Sequence, residues 1–387
     1  MKIGMVLAYK GVNYGMLLQA FATQEVIKKL GYETEILDYK RTDLKHIRMT
    51  PFIVFYLVYE YKRKMKLKKR NLQQIEVDSV HKKNLLERKK SSNLFINEKL
   101  ENIVKCNGII ELEQYAKNIN GVLVGSDQLW SPDSVFGNFA TLRFVPENIN
   151  KISYATSLGV SKYPFWCDES ASNFLNRINH ISVRENQGKK IISRLCKSNV
   201  EVVVDPTYLF SKDEWNELIP RKQITDKDYI LCYFLGATKE HKQLARKFAD
   251  KKNLKLVSIL STESVSDIDI SYADEVITGK GPEDFINLIR ESKYVLTDSF
   301  HGVAFSVINN KQFYVFYRTR VGSKNSRNSR IDNILKMWNL ENRLVLNDAS
   351  IDDFTTKEID YGKVNALLEK KRSYSINFLI DALGDCK

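Results

Sequence analysis

Cysteine is scarce in this 387-residue chain: Cys106, Cys167, Cys196, Cys232 and Cys386 are five in number and far apart, with no Cys-x-x-Cys or Cys/His grouping. Their spacing excludes a disulfide framework and a structural zinc site, and it reads as inert thiols in a reducing compartment. Long apolar runs are missing too. The best, residues 52–59, is less than half of the roughly 18–20 residues needed to cross a bilayer. With only 7 Pro and 17 Gly there is no fibrous, repetitive or low-complexity tract, and 43% hydrophobic against 28% charged residues describes a folded protein. At roughly 100–200 residues per domain, the length predicts two domains. Met1 runs directly into the strand-like Lys2-Ile3-Gly4-Met5-Val6-Leu7 without the basic region and cleavage site of a secretory signal, so a cytoplasmic protein is expected.

The net charge of +13 is unevenly spread: residues 40–90 hold 16 Lys/Arg against five Asp/Glu. No zinc finger, RNA-binding aromatic motif or basic zipper accompanies this block, so nucleic acid is not an expected partner. Within it, residues 51–70 join the apolar run from Pro51 to Tyr59 to Lys62, Arg63, Lys64, Lys66, Lys68, Lys69 and Arg70. Two readings stay open. Apolar residues beside a polybasic tract suit peripheral contact with an anionic leaflet at the inner face of the membrane. The same pattern also fits a solvated helical excursion whose apolar part packs on its own domain.

The first half alternates strand and helix patterns. A strand over 2–8, a helix over 14–29 with apolar Leu17, Leu18, Phe21, Ala22 and Val26 and a stop at Gly31, and a strand over 33–38 form a βαβ unit. A helix over 111–117 and strands over 121–124, 152–157, 180–183 and 200–204 follow. A polar stretch over 211–228 leads into a second set, with strands over 229–235, 255–259, 294–297 and 312–316 and helices over 239–250, 282–291 and 303–309. Short apolar runs alternating with helices predict the α/β class: two Rossmann-like domains with parallel sheets. The expected boundaries are 1–207, carrying the basic excursion 40–90, and 208–387, with a terminal helix near 363–383 packing back on the first domain.

In such folds ligands bind beyond the carboxyl ends of the strands, and the post-strand loops here are polar. They comprise Asn13-Tyr14-Gly15 with Gln19, Gly125-Ser126-Asp127-Gln128-Leu129-Trp130, Arg184-Glu185-Asn186, Asp205-Pro206-Thr207, and Thr297-Asp298-Ser299-Phe300-His301-Gly302. Each also has a plainer reading as helix capping or turn chemistry, and Trp130 as a core residue. The last loop is the sharpest. A tight turn feeding an apolar helix, expected to start at Val303, aims backbone N–H groups at an anion, with His301 at the mouth as the histidine able to move a proton there. Arg318, Arg320, Lys324, Arg327 and Arg330 follow the strand over 312–316, where arginine can grip a carboxylate or phosphate through paired hydrogen bonds.

Taken in order, these motifs, with Ser182-Val183-Arg184-Glu185 and Asn328-Ser329-Arg330-Ile331, resemble the polysaccharide pyruvyl transferase family over most of the chain. The resemblance implies a fold similar to the two-domain glycosyltransferase B architecture, with the acceptor on the first domain and the donor on the second. It implies transfer of the enolpyruvyl-derived group of phosphoenolpyruvate to a sugar of a cell-surface or exopolysaccharide precursor, giving a pyruvate ketal that bridges two hydroxyls. In that reading His301 is the acid and Asp127 the base or a ligand of the sugar hydroxyl. Arg184, Thr297, Ser299, Gly302, Arg330 and Lys324 hold the donor, and Asn13, Tyr14, Gln19, Ser126 and Trp130 the acceptor. No metal and no resident cofactor are expected, phosphoenolpyruvate being a co-substrate. The polybasic segment leaves a lipid-linked acceptor open. The rival is a nucleotide-sugar-dependent glycosyltransferase on the same scaffold.

Overall fold

The structure, a computed structural model, describes residues 1–41, 53–62, 65, 79–160, 162–226, 228–266, 268–318, 328–346, 349–354 and 357–386. Of the segment 51–70, only 53–62 and 65 therefore fall among the described residues.

The chain opens as expected: β1 (Lys2–Val6), α1 (Tyr14–Lys29) and β2 (Glu33–Lys40) form a βαβ unit. Asn13 starts α1 by accepting the Met16 amide on its Oδ1 at 3.1 Å, and Lys28 and Lys29 occupy the last turn, where cations oppose the helix dipole. Helix α2 (Ser79–Lys99) leads to β3 (Ile103–Asn107), α3 (Ile109–Ala116), β4 (Gly121–Val124) and β5 (Asn150–Thr156). Then come α4 (Asp168–Leu175), β6 (His180–Val183), α5 (Asn186–Ile192) and β7 (Val200–Val202). These seven strands make one parallel sheet in the order β3-β2-β1-β4-β5-β6-β7.

The second unit runs through α6 (Lys212–Leu218), β8 (Tyr229–Tyr233), α7 (Lys239–Lys252), β9 (Lys255–Ile259), β10 (Glu275–Ile277) and α8 (Pro282–Glu291). It continues with β11 (Tyr294–Thr297), α9 (Phe300–Ile308), β12 (Gln312–Phe316), α10 (Ser329–Trp338), β13 (Leu344–Val345) and α11 (Tyr361–Gly384). Its sheet, also parallel, has the order β10-β9-β8-β11-β12-β13. In both sheets the strand order reverses beside the first strand, between β1 and β4 and between β8 and β11. Such reversals splay the flanking loops and open a crevice at the carboxyl edge.

Two departures from expectation bear on the site. The helix expected from Val303 starts three residues earlier, at Phe300, because Ser299 caps it by accepting the Gly302 amide on its Oγ at 3.4 Å. His301 thus rides in the helix's first turn instead of in the loop before it. The other is α2, from the basic excursion. It buries Asn84, Arg88, Ser92 and Phe95, and it reaches the second unit, where Arg88 donates to the Leu260 carbonyl at 2.7 Å and Asn84 Oδ1 accepts the Gly279 amide at 2.9 Å.

At the other end of the chain, α11 returns to the first sheet's side. Asn150 donates to the Ala382 carbonyl at 2.9 Å, the Ser375 hydroxyl accepts the Val204 amide at 3.1 Å, and Arg372 donates to the Tyr208 carbonyl at 2.8 Å. Among the described residues no helix is long and apolar enough to cross a membrane.

Candidate active site

The loops after β4, β6 and β7 converge on one carboxylate. Asp205, fully buried, accepts the Ser126 hydroxyl at 3.1 Å and Arg184 Nη1 at 2.8 Å on Oδ2, and the Thr207 amide and hydroxyl at 3.1 and 2.8 Å on Oδ1. Burial alone would push this carboxyl up; His301, Arg184 and the Thr207 amide outweigh it and hold Asp205 below the ordinary aspartate range. Burial likewise opposes the charge on Arg184, but Glu185, Asp205 and Asp127 keep it ionised. Its guanidinium lies 4.3 Å from the centre of the Phe300 ring, so the first unit's arginine rests on the second unit's helix α9.

His301 enters from that helix. Its Nε2 stands 3.8 Å from Asp205 Oδ2, too far for a hydrogen bond, and has no hydrogen-bond partner among the described residues. Burial pulls the imidazole well below the ordinary histidine value; Asp205 and Asp127 oppose that shift, Arg184 and Arg330 reinforce it. At neutral pH the free site therefore holds an uncharged His301. Arg330, in the first turn of α10, has an Nε without a partner among the described residues; burial, Arg184 and Arg318 lower it to about 10, which leaves it cationic. Asp127 adopts a left-handed φ of 75°, unusual for a residue with a side chain, and is held there as its carbonyl accepts the Ser157 amide at 2.8 Å. Its charge acts on Arg184, His301 and Arg330, while its carboxylate makes no hydrogen bond or ion pair among the described residues.

Three nitrogens, Arg184 Nη2, Arg330 Nε and His301 Nε2, thus lack hydrogen-bond partners among the described residues around Asp127 and Asp205. A buried donor left unmet costs about 1–3 kcal/mol, and native structures rarely leave several together unless something else satisfies them. Two guanidinium groups and an imidazole suit a small ligand carrying more than one acidic group. Among the described residues no cluster of three or more His, Cys, Asp or Glu side chains is arranged to hold a metal ion.

The remaining expected ligands have other partners. The Thr297 hydroxyl donates to the Tyr233 carbonyl at 2.7 Å and accepts the Ser299 amide at 3.0 Å, and the Ser299 hydroxyl caps α9. Gly302 lets the helix sit close to that turn, since a Cβ there would come 2.4 Å from Thr297 Oγ1. Lys324 lies outside the described residues. Asn13 Nδ2 donates to Glu263 at 2.8 Å, across to the second unit, where Glu263 also meets Arg318 at 3.2 Å. Tyr14 donates to the Lys280 carbonyl at 2.9 Å and stacks on Phe285 with ring centres 5.0 Å apart. Gln19 donates to the Ala8 and Met16 carbonyls, both at 2.9 Å, leaving its Oε1 unmet. Ser126 is spent on Asp205. Trp130 is buried, with its indole N–H on the Ala140 carbonyl at 2.9 Å.

Sequence reasoning gave Asp205 no role. The signal was its place after a strand, in Asp205-Pro206-Thr207; what it gathers is visible only once three loops meet. Glu263, between Asn13 and Arg318, carried no sequence signal.

The profile of the polysaccharide pyruvyl transferase family matches residues 13–320, a span holding Asp127, Arg184, Asp205 and His301. The chain belongs to the polysaccharide pyruvyl transferase family. Arg330 lies beyond the matched span, so its place in this family member's site rests on geometry alone. No curated protein sequence matches the chain. Among solved structures it is similar to UDP-GlcNAc 2-epimerase from Methanocaldococcus jannaschii, with a TM-score of 0.52 and 10% identity over 95% of this chain and 92% of that one. It is also similar to UGT89C1 of Arabidopsis thaliana, with a TM-score of 0.52 and 8% identity over 100% of this chain and 99% of that one. At such identities the likeness speaks for the fold alone. The fold is the glycosyltransferase B architecture expected from the sequence motifs.

Proposed function

We propose that this family member transfers the enolpyruvyl-derived group of phosphoenolpyruvate to a saccharide and closes it into a pyruvate ketal. The observation that carries this reading is the set of nitrogens without partners among the described residues, Arg184 Nη2, Arg330 Nε and His301 Nε2, gathered where the two units meet. Two guanidinium groups and an imidazole able to take up a proton suit a donor bearing both a phosphate and a carboxylate.

The reaction joins two sugar hydroxyls to C2 of the donor and breaks the C2–O bond to phosphate. One hydroxyl proton ends on C3, turning the methylene into a methyl group, and the other leaves with phosphate. An acid must protonate C3, a base must take up a hydroxyl proton, and charge at C2 must be stabilised in between. His301 is the acid in this reading. The uncharged imidazole of the free site gains its proton when the anionic donor arrives and offsets the cost of burying the charge. Asp127, whose carboxylate is uncommitted among the described residues, is the base. Arg184 and Arg330 hold the acidic groups of the donor, and Asp205 fixes Arg184 and favours the charged imidazole. No step calls for a metal or a resident cofactor.

The test is incubation with phosphoenolpyruvate and a panel of glycosides, following phosphate release and a mass gain on the sugar. The alternative, a nucleotide-sugar-dependent glycosyltransferase, is compatible with the same fold. Thermal shifts separate the two: stabilisation by phosphoenolpyruvate and none by UDP supports pyruvyl transfer, and the reverse overturns it.

A further inference from the structure

The structure exposes a second feature that the transfer reading does not use. Residues 53–62 form a helix apolar on both faces. The inner face packs on the first unit: Tyr56 meets Phe136 with ring centres 4.9 Å apart, and Tyr59 meets Trp166 at 5.5 Å. The outer face leaves Leu57 51%, Val58 48% and Tyr61 65% exposed, with Val54 and Phe55 beside them. Phe165, from the connection after β5, is 65% exposed and lies edge-on to Phe55 at 5.5 Å, so two separate segments extend one apolar surface. A continuous patch of this kind, exposed on a folded chain, marks an interaction surface. In sequence it is followed at once by seven Lys or Arg within residues 62–70 and no acid.

We infer that this helix seats the protein on the surface of an anionic lipid bilayer. Ten residues are far too few to span one, but aliphatic and aromatic side chains beside a dense cationic tract are what the headgroup boundary of an anionic leaflet rewards. A second copy of this chain is the poorer occupant, because two chains that each carry 16 Lys or Arg against five acids over residues 40–90 repel one another. The helix rests on the connections leaving the carboxyl ends of β4 and β5, the first of which begins with the loop carrying Asp127. A bilayer seated here therefore flanks the side of the first unit that faces the candidate site.

The test is co-sedimentation of the full chain with phosphatidylcholine vesicles, with and without phosphatidylglycerol, at low and high salt. The chain is expected to pellet with the anionic vesicles and to be released by salt. The Leu57→Glu/Val58→Glu double variant, both positions lying on the outer face, is expected to bind about tenfold or more weakly while keeping its circular dichroism and thermal midpoint. Three outcomes overturn the inference: no pelleting with anionic vesicles, equal pelleting of the double variant, or a wild-type dimer in sedimentation velocity that the double variant dissolves. Phosphate release from phosphoenolpyruvate with a soluble glycoside, read without vesicles, is a separate measurement, so failure of the transfer reading and failure of docking are distinguishable.

Discussion

His301 lies across Gly15. A methyl group built on that glycine would stand 1.9 Å from the imidazole Nδ1, so helix α9 of the second unit presses its histidine onto the first turn of α1 in the first. Gly15→Ala favours the helix by roughly 1 kcal/mol in propensity, yet it must push the ring aside. With the imidazole displaced from the cluster, phosphate release from phosphoenolpyruvate should fall about 100-fold in kcat. Unchanged kcat in Gly15→Ala would mean that the ring has no fixed place in the reaction.

Burial keeps the imidazole of the free site uncharged at neutral pH. An anionic donor against it favours the charged form, so donor binding should take up a proton wherever the pH lies between the free and bound values. Calorimetry near pH 6.5 in buffers of different ionisation enthalpy should show uptake approaching one proton, with affinity falling as the pH rises from the free toward the bound value and levelling off above it. His301→Gln should bind without that uptake. Equal proton counts in the two chains would remove His301 from the donor site.

How far the sequence carried the fold depends on where each element sits. The central strands β1, β4, β8, β9 and β11 are buried, mainly apolar runs and were legible as such. The three strands without a readable pattern, β3, β10 and β13, are all at sheet edges, where one side of the strand is solvated and charges such as Lys105 and Glu275 interrupt the run. Helix α2 was illegible for a different reason. Three of its four buried residues, Asn84, Arg88 and Ser92, are polar, and Asn84 and Arg88 bond to backbone groups of the other unit, so no apolar stripe marks it. In the candidate site, the positions of His301, Arg184 and Asp127 just after strands were legible from their loops. Asp205 was not, because its role lies in what it gathers from three distant stretches of chain.

Acid should weaken the fold through the same cluster. His301 and Asp205 both bind protons less readily in the folded chain than their ordinary values allow. The unfolded chain therefore holds more protons, and stability falls as the pH drops below the unfolded histidine value of about 6.5 and again toward about 4 for the aspartate. Thermal midpoints should be flat above neutral pH and decline below it. His301→Gln should lose the upper part of that decline, and a midpoint that rises on acidification from pH 7 to 5.5 would contradict the assignment.

Arg88 ties the two units at the point where the site is assembled. Its Nη2 donates to the Leu260 carbonyl at 2.7 Å, and its guanidinium lies 4.4 Å from the centre of the Tyr14 ring, the residue before Gly15. Arg88→Met removes the shorter, charge-assisted hydrogen bond to that carbonyl, which keeps Asn84 Nδ2 at 3.3 Å, and takes a cation off an aromatic face, together about 2–4 kcal/mol. Lys99, on the same helix, meets Glu283 at 3.3 Å with both side chains partly exposed; Lys99→Ala should cost no more than about 1 kcal/mol. Chemical denaturation of the two variants checks the contrast. Because Tyr14 and Gly15 form the turn against which His301 rests, Arg88→Met should also lower kcat, whereas Lys99→Ala should leave it unchanged. Equal loss of activity in both would place the effect in general loosening between the units instead of in the seat of His301.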